Sequence, residues 1–359
     1  MSTTFAAKTS RDLFSPEEGV AYLNAATYGL PPKPTVDALQ RALLRWQDGS
    51  ADWVSEWDKE GETCRELFAR LIGTSASQVA LLPTVSVGVG VVAASLAAGS
   101  TLLVPEGEFP SVVFPFLVAA QQREIIVREV PFDALAESID SATTIVAFSL
   151  TQSQSGRSAK LAEICASAKA NGALVLVDAT HAIPFVPVAP QIDQIDFLVC
   201  HGYKHLLCPR GASFLYVRSD RIEEIPPILA NWHSSGASYG SQYGGPLPLA
   251  KDASRFDVSL AWHAWAGARP SLELIVEWSQ NGELDRVLGL SRRLASGLDL
   301  EPPTSSIVCK SVADPIAAEA ALSKAGVRCA ARGGNVRLSP HVYNTEDEID
   351  LAIAAMRGL

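Results

Sequence analysis

Residues 173–218 read ALVLVDATHAIPFVPVAPQIDQIDFLVCHGYKHLLCPRGASFLYVR. The run 173–177 is continuously apolar, the pattern of a short strand covered on both faces. It ends in Asp178, a carboxylate at the carboxyl end of a strand, where open α/β sheets build their sites. A second apolar run, 197–200, ends in His201-Gly202-Tyr203-Lys204, and a third, 212–217, follows the turn Cys208-Pro209-Arg210-Gly211. Two strands thus bring Asp178 and Lys204 to one sheet edge, 26 residues apart in the chain. A lysine read alone belongs on the surface. A buried one has a lowered pKa and can form a Schiff base, and an aspartate can hold a pyridinium nitrogen protonated.

That pair is the minimum constellation for pyridoxal 5'-phosphate. The rest of the composition sets limits. At 359 residues the chain exceeds what one ordinary domain prefers, so a large and a small part are expected. No apolar run approaches the roughly 18 residues of a membrane span, and the start, MSTTF, lacks the features of a secretion signal. A cytoplasmic protein with no membrane partner is expected. A net charge of −10, from 39 acidic and 29 basic residues, argues against nucleic acid as a partner. The six cysteines (Cys64, Cys165, Cys200, Cys208, Cys309, Cys329) show no C-x-x-C spacing, so free thiols are expected and no metal.

Upstream, residues 1–20 read as an arm with a helix-start signal at Ser15-Pro16-Glu17-Glu18. Tyr22-Leu23-Asn24-Ala25-Ala26-Thr27-Tyr28-Gly29 reads as a structured loop. Residues 34–73 form two helical stretches, with Trp53 and Trp57 on one side as packing residues. Residues 80–90 pass from a strand into a helix whose small-residue start favours a phosphate. Residues 101–105 and 144–150 are further buried strands, leading into Glu106-Gly107-Glu108-Phe109 and Thr151-Gln152-Ser153-Gln154-Ser155-Gly156. The stretch 226–261, with Trp232, His233, Tyr239 and Tyr243, is long and irregular, as lids and subunit-facing loops are. From 283 onward helices alternate with short strands, and Cys329 reads as a strand residue.

The lysine segment, Asp178-Ala179-Thr180-His181 and the closing Val336-Arg337-Leu338-Ser339 with Tyr343-Asn344-Thr345 resemble the class V aminotransferase family. These are fold type I pyridoxal-phosphate enzymes that include cysteine desulfurases, selenocysteine lyases and isopenicillin-N-epimerase-like proteins. The resemblance runs from about residue 20 to the end. It implies an α/β fold: an arm (1–20), a large cofactor domain with a mostly parallel sheet between helices (21–282), and a small α+β domain (283–359). It also implies the roles. Lys204 forms the Schiff base and moves the α-proton, Asp178 holds the ring nitrogen, and His181 stands where relatives have Gln. Val85, by its backbone, and Ser86 correspond to the phosphate-binding helix start. Phe109 corresponds to the residue stacked on the ring, where desulfurases usually have His. Gln152 is preferred to Ser153 for the ring oxygen.

His201 takes the place of a usual Ser on the phosphate, and Tyr203 that of a His. Ser259, in Arg255-Phe256-Asp257-Val258-Ser259, corresponds to a Thr that reaches the neighbouring subunit's cofactor, which implies a homodimer with shared sites. Arg337 corresponds to the residue holding the substrate α-carboxylate, with Ala26 and Tyr28 on the substrate side. One departure stands out. Desulfurases carry a mobile loop with a nucleophilic cysteine just before that arginine, whereas here 326–334 runs almost directly into Val336-Arg337. The expectation is an enzyme acting on a small-molecule amino acid, a C–S or C–Se β-lyase on an S-substituted cysteine. Transamination, epimerisation and decarboxylating or oxidative chemistry are alternatives, and a non-catalytic binding protein of the same fold is the reading from another class.

Overall fold

The computed structural model describes residues 10–237 and 243–359, so Tyr239 and the first nine residues of the arm lie outside the described residues. After the two-residue strand β1 (Ala21–Tyr22) come α1 (Lys33–Asp48), a π-helical turn (Trp53–Asp58) and α2 (Lys59–Ile72). Strands and helices then alternate: β2 (Val79–Leu82), α3 (Val85–Ser95), β3 (Thr101–Pro105), α4 (Pro110–Arg123), β4 (Ile126–Val130), β5 (Ile145–Ser149), α5 (Leu161–Asn171), β6 (Leu174–Asp178), β7 (Phe197–His201) and β8 (Ser213–Val217). The sheet order is β2-β8-β7-β6-β5-β3-β4. All neighbours are parallel except β8, which runs antiparallel to β7 and β2.

Successive side chains on a strand point to opposite faces, and here both faces are covered. Phe148, Val175, Val177 and Leu198 pack with α2 and α5, while Ala147, Leu176, Phe197 and Val199 pack with α3 and α4. Two-sided burial is why these strands read as apolar runs without alternation. The parallel strands β5 and β6 end in Ser149 and Asp178, and β7 ends in His201, so their polar termini share one edge.

Helix α6 (Trp262–Asn281) turns at Gly282 (φ 84°) into α7 (Glu283–Gly297). The C-terminal part adds β9 (Val308–Ser311), α8 (Pro315–Lys324), β10 (Val327–Arg328), β11 (Ala330–Arg332), β12 (Asn335–Leu338) and α9 (Glu346–Arg357). Its sheet, β11-β12-β9, is antiparallel. Strand β1 pairs in parallel with β10, and Ala21 and Leu23 sit in the C-terminal core with Leu294, Val336 and Ile349. The start of the segment assigned to the large domain therefore packs into the small one.

Two expectations are corrected. Ser15-Pro16-Glu17-Glu18 starts no helix; the chain there is irregular and turns at Gly19 (φ 74°). The reason is long-range: Ala21 N–H bonds Gly326 O at 2.8 Å, and this pairing extends the backbone that a helix would coil. Cys329 lies buried between β10 and β11 rather than within a strand.

Candidate active site

Asp178 is buried at the end of β6, where its Oδ1 accepts from Thr180 N–H at 2.9 Å. Burial pushes its carboxyl up; the Thr180 bonds and the charge of Lys204 pull it back. No cation lies within ion-pair distance of it among the described residues. Lys204 follows β7 in a tight turn, with its Nζ 2.8 Å from His181 Nε2. That Nζ is 5.2 Å from the centroid of the Phe109 ring and 5.6 Å from that of Tyr203. Burial lowers its pKa to about 8, against the opposing pull of Asp178. The turn is clamped from outside: Gly29 N–H donates to Tyr203 O at 3.0 Å. A Cβ at Gly29 would overlap Lys204 O and Leu207 Cδ2, so only glycine fits.

Arg337, on β12, is 2% exposed. Its Nη1 donates to Ser153 O and Oγ, both at 2.8 Å, and its Nη2 to Thr27 Oγ1 at 2.9 Å, while Nε has no partner. No carboxylate pairs with it among the described residues, and burial lowers its pKa to about 10. Its charge acts on His181, Lys204 and Tyr203, which places β12 in the same site as the lysine.

Helix α3 begins at Val85 with no side-chain cap on its first N–H groups, a natural anion site when a ligand fits there. Val85 is buried and offers its backbone; Ser86 is exposed, its Oγ 3.0 Å from Thr84 Oγ1. His201 donates its backbone N–H to Thr180 Oγ1 at 3.0 Å and packs against Tyr203, ring centroids 4.3 Å apart. Burial lowers the His201 pKa to about 3, so it is a neutral imidazole, and its Nδ1 has no partner.

Asp178, His181, Lys204, Phe109, Tyr203, His201 and Arg337 thus gather at one sheet edge. The remaining candidates differ. Gln152 is buried but its amide braces a loop, bonding Glu106 O at 3.1 Å and Ser155 Oγ at 3.0 Å. Ala26 is buried and spends its N–H on Ser339 Oγ at 2.6 Å. Tyr28 is 50% exposed, its ring against Tyr22. Ser259 is exposed and makes no hydrogen bond to the site among the described residues. Sequence reasoning passed over Thr27 and weighed Ser153 only for the ring oxygen, whereas both hold Arg337. It also passed over Glu108, which accepts from Ser149 N–H at 2.7 Å and whose carboxyl burial pushes up. Glu108 had a visible signal, its place beside Phe109, and Ser153 had its spacing to Gly156, though nothing pointed it at Arg337; Thr27 had none.

The chain leaves three demands open: a buried carboxylate wants a cationic N–H, an uncapped helix start suits an anion, and a buried guanidinium wants a carboxylate.

The aminotransferase class-V family model matches residues 21–249, more than half of the chain. An uncharacterized aminotransferase of Bacillus subtilis (strain 168) is 26% identical over 337 residues, covering 88% of this chain and 89% of that protein. Isopenicillin N epimerase of Streptomyces clavuligerus is 30% identical over 201 residues, 52% of this chain and 49% of its own length. In fold, the chain is similar to a cystine C–S lyase solved with its reaction product cysteine persulfide: TM-score 0.85 at 21% identity, covering 94% of this chain and 97% of that one.

Proposed function

The chain belongs to the aminotransferase class-V family and is a pyridoxal 5'-phosphate-dependent enzyme, and on that premise we propose that it is a β-lyase cleaving the C–S bond of S-substituted cysteines. The three open demands fit the cofactor and its substrate together. Asp178 would hold the ring N–H, the α3 start with Ser86 and His201 the phosphate, Phe109 the ring face, and Lys204 the covalent attachment. When bound, the cofactor withdraws electrons from the substrate Cα and so acidifies its proton. Arg337 binds the substrate carboxylate through a planar fork that Lys would not reproduce. Lys204, uncharged above its lowered pKa, takes the Cα proton. Loss of that proton and of the sulfur substituent from Cβ, followed by addition of water, gives pyruvate, ammonia and a thiol.

The observation that carries the reading is the turn before Arg337. Strands β11 and β12 are joined by Gly333-Gly334 alone, both at positive φ, which leaves no loop to present a nucleophilic cysteine. Burial pushes the thiols of Cys309 and Cys329 up to about 12, so neither is a thiolate at neutral pH. Sulfur therefore leaves on its own substituent rather than on an enzyme cysteine. The experiment is an assay for pyruvate with cystine and S-alkyl cysteines. Pyruvate is expected from the unsubstituted protein and from Cys309→Ser and Cys329→Ser, and none from Lys204→Ala. Amino-group transfer to a 2-oxo acid without pyruvate would replace this reading with transamination, which the near-full-length similarity to a named aminotransferase favours as second choice.

The protein acts as a cytoplasmic homodimer in this reading. Its six free cysteines support a reducing compartment, and no helix among the described residues is long and apolar enough to cross a membrane. An apolar groove between α3 and α4 supports the second copy: Phe114 and Val118 are 59% and 56% exposed, and the groove reaches Ser86 at the phosphate end. Exposed Ser259, idle in its own subunit, is then free to serve the other.

A further inference from the structure

Three histidines from three separate loops gather beside Lys204, His205 stacked on His341 and edge-to-face with His181. His181 follows β6, His205 follows the lysine, and His341 follows β12; all are buried, His205 and His341 completely. The ring centroids of His181 and His205 are 6.0 Å apart, and so are those of His205 and His341, with Phe185 against the last two. His341 is fully satisfied. Its Nδ1 accepts from Val342 N–H at 2.9 Å, so its Nε2 carries the proton and donates to His205 O at 2.9 Å. The other two are not. His181 Nδ1 and both ring nitrogens of His205 have no hydrogen-bond partner among the described residues.

A buried nitrogen left unpaired keeps its full desolvation cost, and native interiors rarely tolerate it. One water making two hydrogen bonds of roughly 2.9 Å can join a nitrogen of each ring when the centroids lie 6.0 Å apart edge to face. We propose that His205 is a positioning residue which, through one buried water shared with His181 Nδ1, holds His181 in the tautomer whose bare Nε2 faces Lys204. The water accepts from Nδ1–H of His181 and donates to the unprotonated nitrogen of His205, which pairs two of the three open nitrogens. No proton is transferred; only a tautomer is fixed.

The surrounding charges agree with a neutral pair. Burial, then the charges of Lys204 and Arg337, lower the pKa of His181 far below normal; burial, His341, Lys204 and Arg337 do the same for His205. Asp178 acts on Lys204 rather than on either ring. While Lys204 is an ammonium it can only donate, and it fixes the His181 tautomer by itself. Once uncharged, above about 8, it accepts as readily as it donates, and the water with His205 becomes the sole determinant.

This inference rests on Lys204 being the reactive lysine, but its test needs neither cofactor nor substrate and so stands apart from the reaction catalysed. Long-range 1H–15N NMR of the cofactor-free protein reads the tautomer of His181 directly. Above the Lys204 midpoint, the unsubstituted protein and His205→Gln are expected to keep His181 as Nδ1–H, while His205→Phe loses that single form. Retention of Nδ1–H in His205→Phe, or its absence from the unsubstituted protein, overturns the proposal. Should His205→Phe not fold, a crystal structure of the unsubstituted protein decides: a water within about 3.2 Å of His181 Nδ1 and of a His205 nitrogen supports it, and a dry gap overturns it.

Discussion

Lys204 loses more hydration on burial than the charge of Asp178 restores, and the balance leaves its pKa near 8 instead of 10.5. Its uncharged fraction therefore rises through pH 8. Attachment of pyridoxal phosphate to the cofactor-free protein, followed by absorbance, is expected to accelerate with that midpoint. Asp178→Asn removes the charge that favours the ammonium and moves the midpoint lower still; a midpoint near 10.5 in the unsubstituted protein would mean a hydrated lysine. At the other corner, Arg337→Lys gives up a planar pair of charge-assisted bonds worth about 1.5–3 kcal/mol. It is expected to raise KM about 10- to 100-fold while cofactor absorbance stays the same. Asp178, Lys204 and Arg337 were legible because each stands beside a recognisable strand or motif. Thr27 and Ser153 were not, because they meet Arg337 across 310 and 184 residues of chain, and nothing local marks that approach.

Among the elements, α2 is tied to the segment leading to Ser259 by a buried ion pair, Arg65–Asp257, and the same carboxylate also holds β2. Asp257 accepts from Arg65 Nη2 at 2.6 Å and from Leu81 N–H at 2.7 Å, and both side chains are almost wholly buried. Such a pair adds little net stability when intact, and losing one partner of an isolated buried pair costs about 3–5 kcal/mol; Arg65 keeps Glu62 at 2.9 Å, so the loss here falls below that. Asp257→Ala is expected to lower Tm accordingly in thermal unfolding, whereas replacing both partners by apolar residues would restore much of the loss. Unchanged Tm in Asp257→Ala would mean that water reaches Arg65. Strand positions in the core of the sheet were legible from apolar runs bounded by polar ends. The edge strand β4 was not, since Arg128 and Glu129 interrupt the run that marked the others, as edge strands do.

At the scale of the whole molecule, the α3–α4 groove and idle Ser259 lead to an expectation for solution: sedimentation at twice the 38.2 kDa chain mass. Phe114→Glu, which sets a charge on that groove, should shift the protein toward single chains and weaken cofactor retention together. A monomer in the unsubstituted protein would sink the shared-site reading. The sheet order itself could not be read from the sequence, because apolar runs say which segments are strands and not which pair. Even less visible was the pairing of Ala21 and Tyr22 with Val327 and Arg328. That pairing has a consequence for synthesis. Ala21 leaves the ribosome 306 residues before its partner Val327; at roughly 5–20 residues per second the interval is about 15–60 s. Throughout that time Thr27 waits for Arg337, so the corner that would grip a carboxylate closes only after every strand of the seven-stranded sheet has been made, and a chain cut short before β12 could assemble that sheet yet never close that corner.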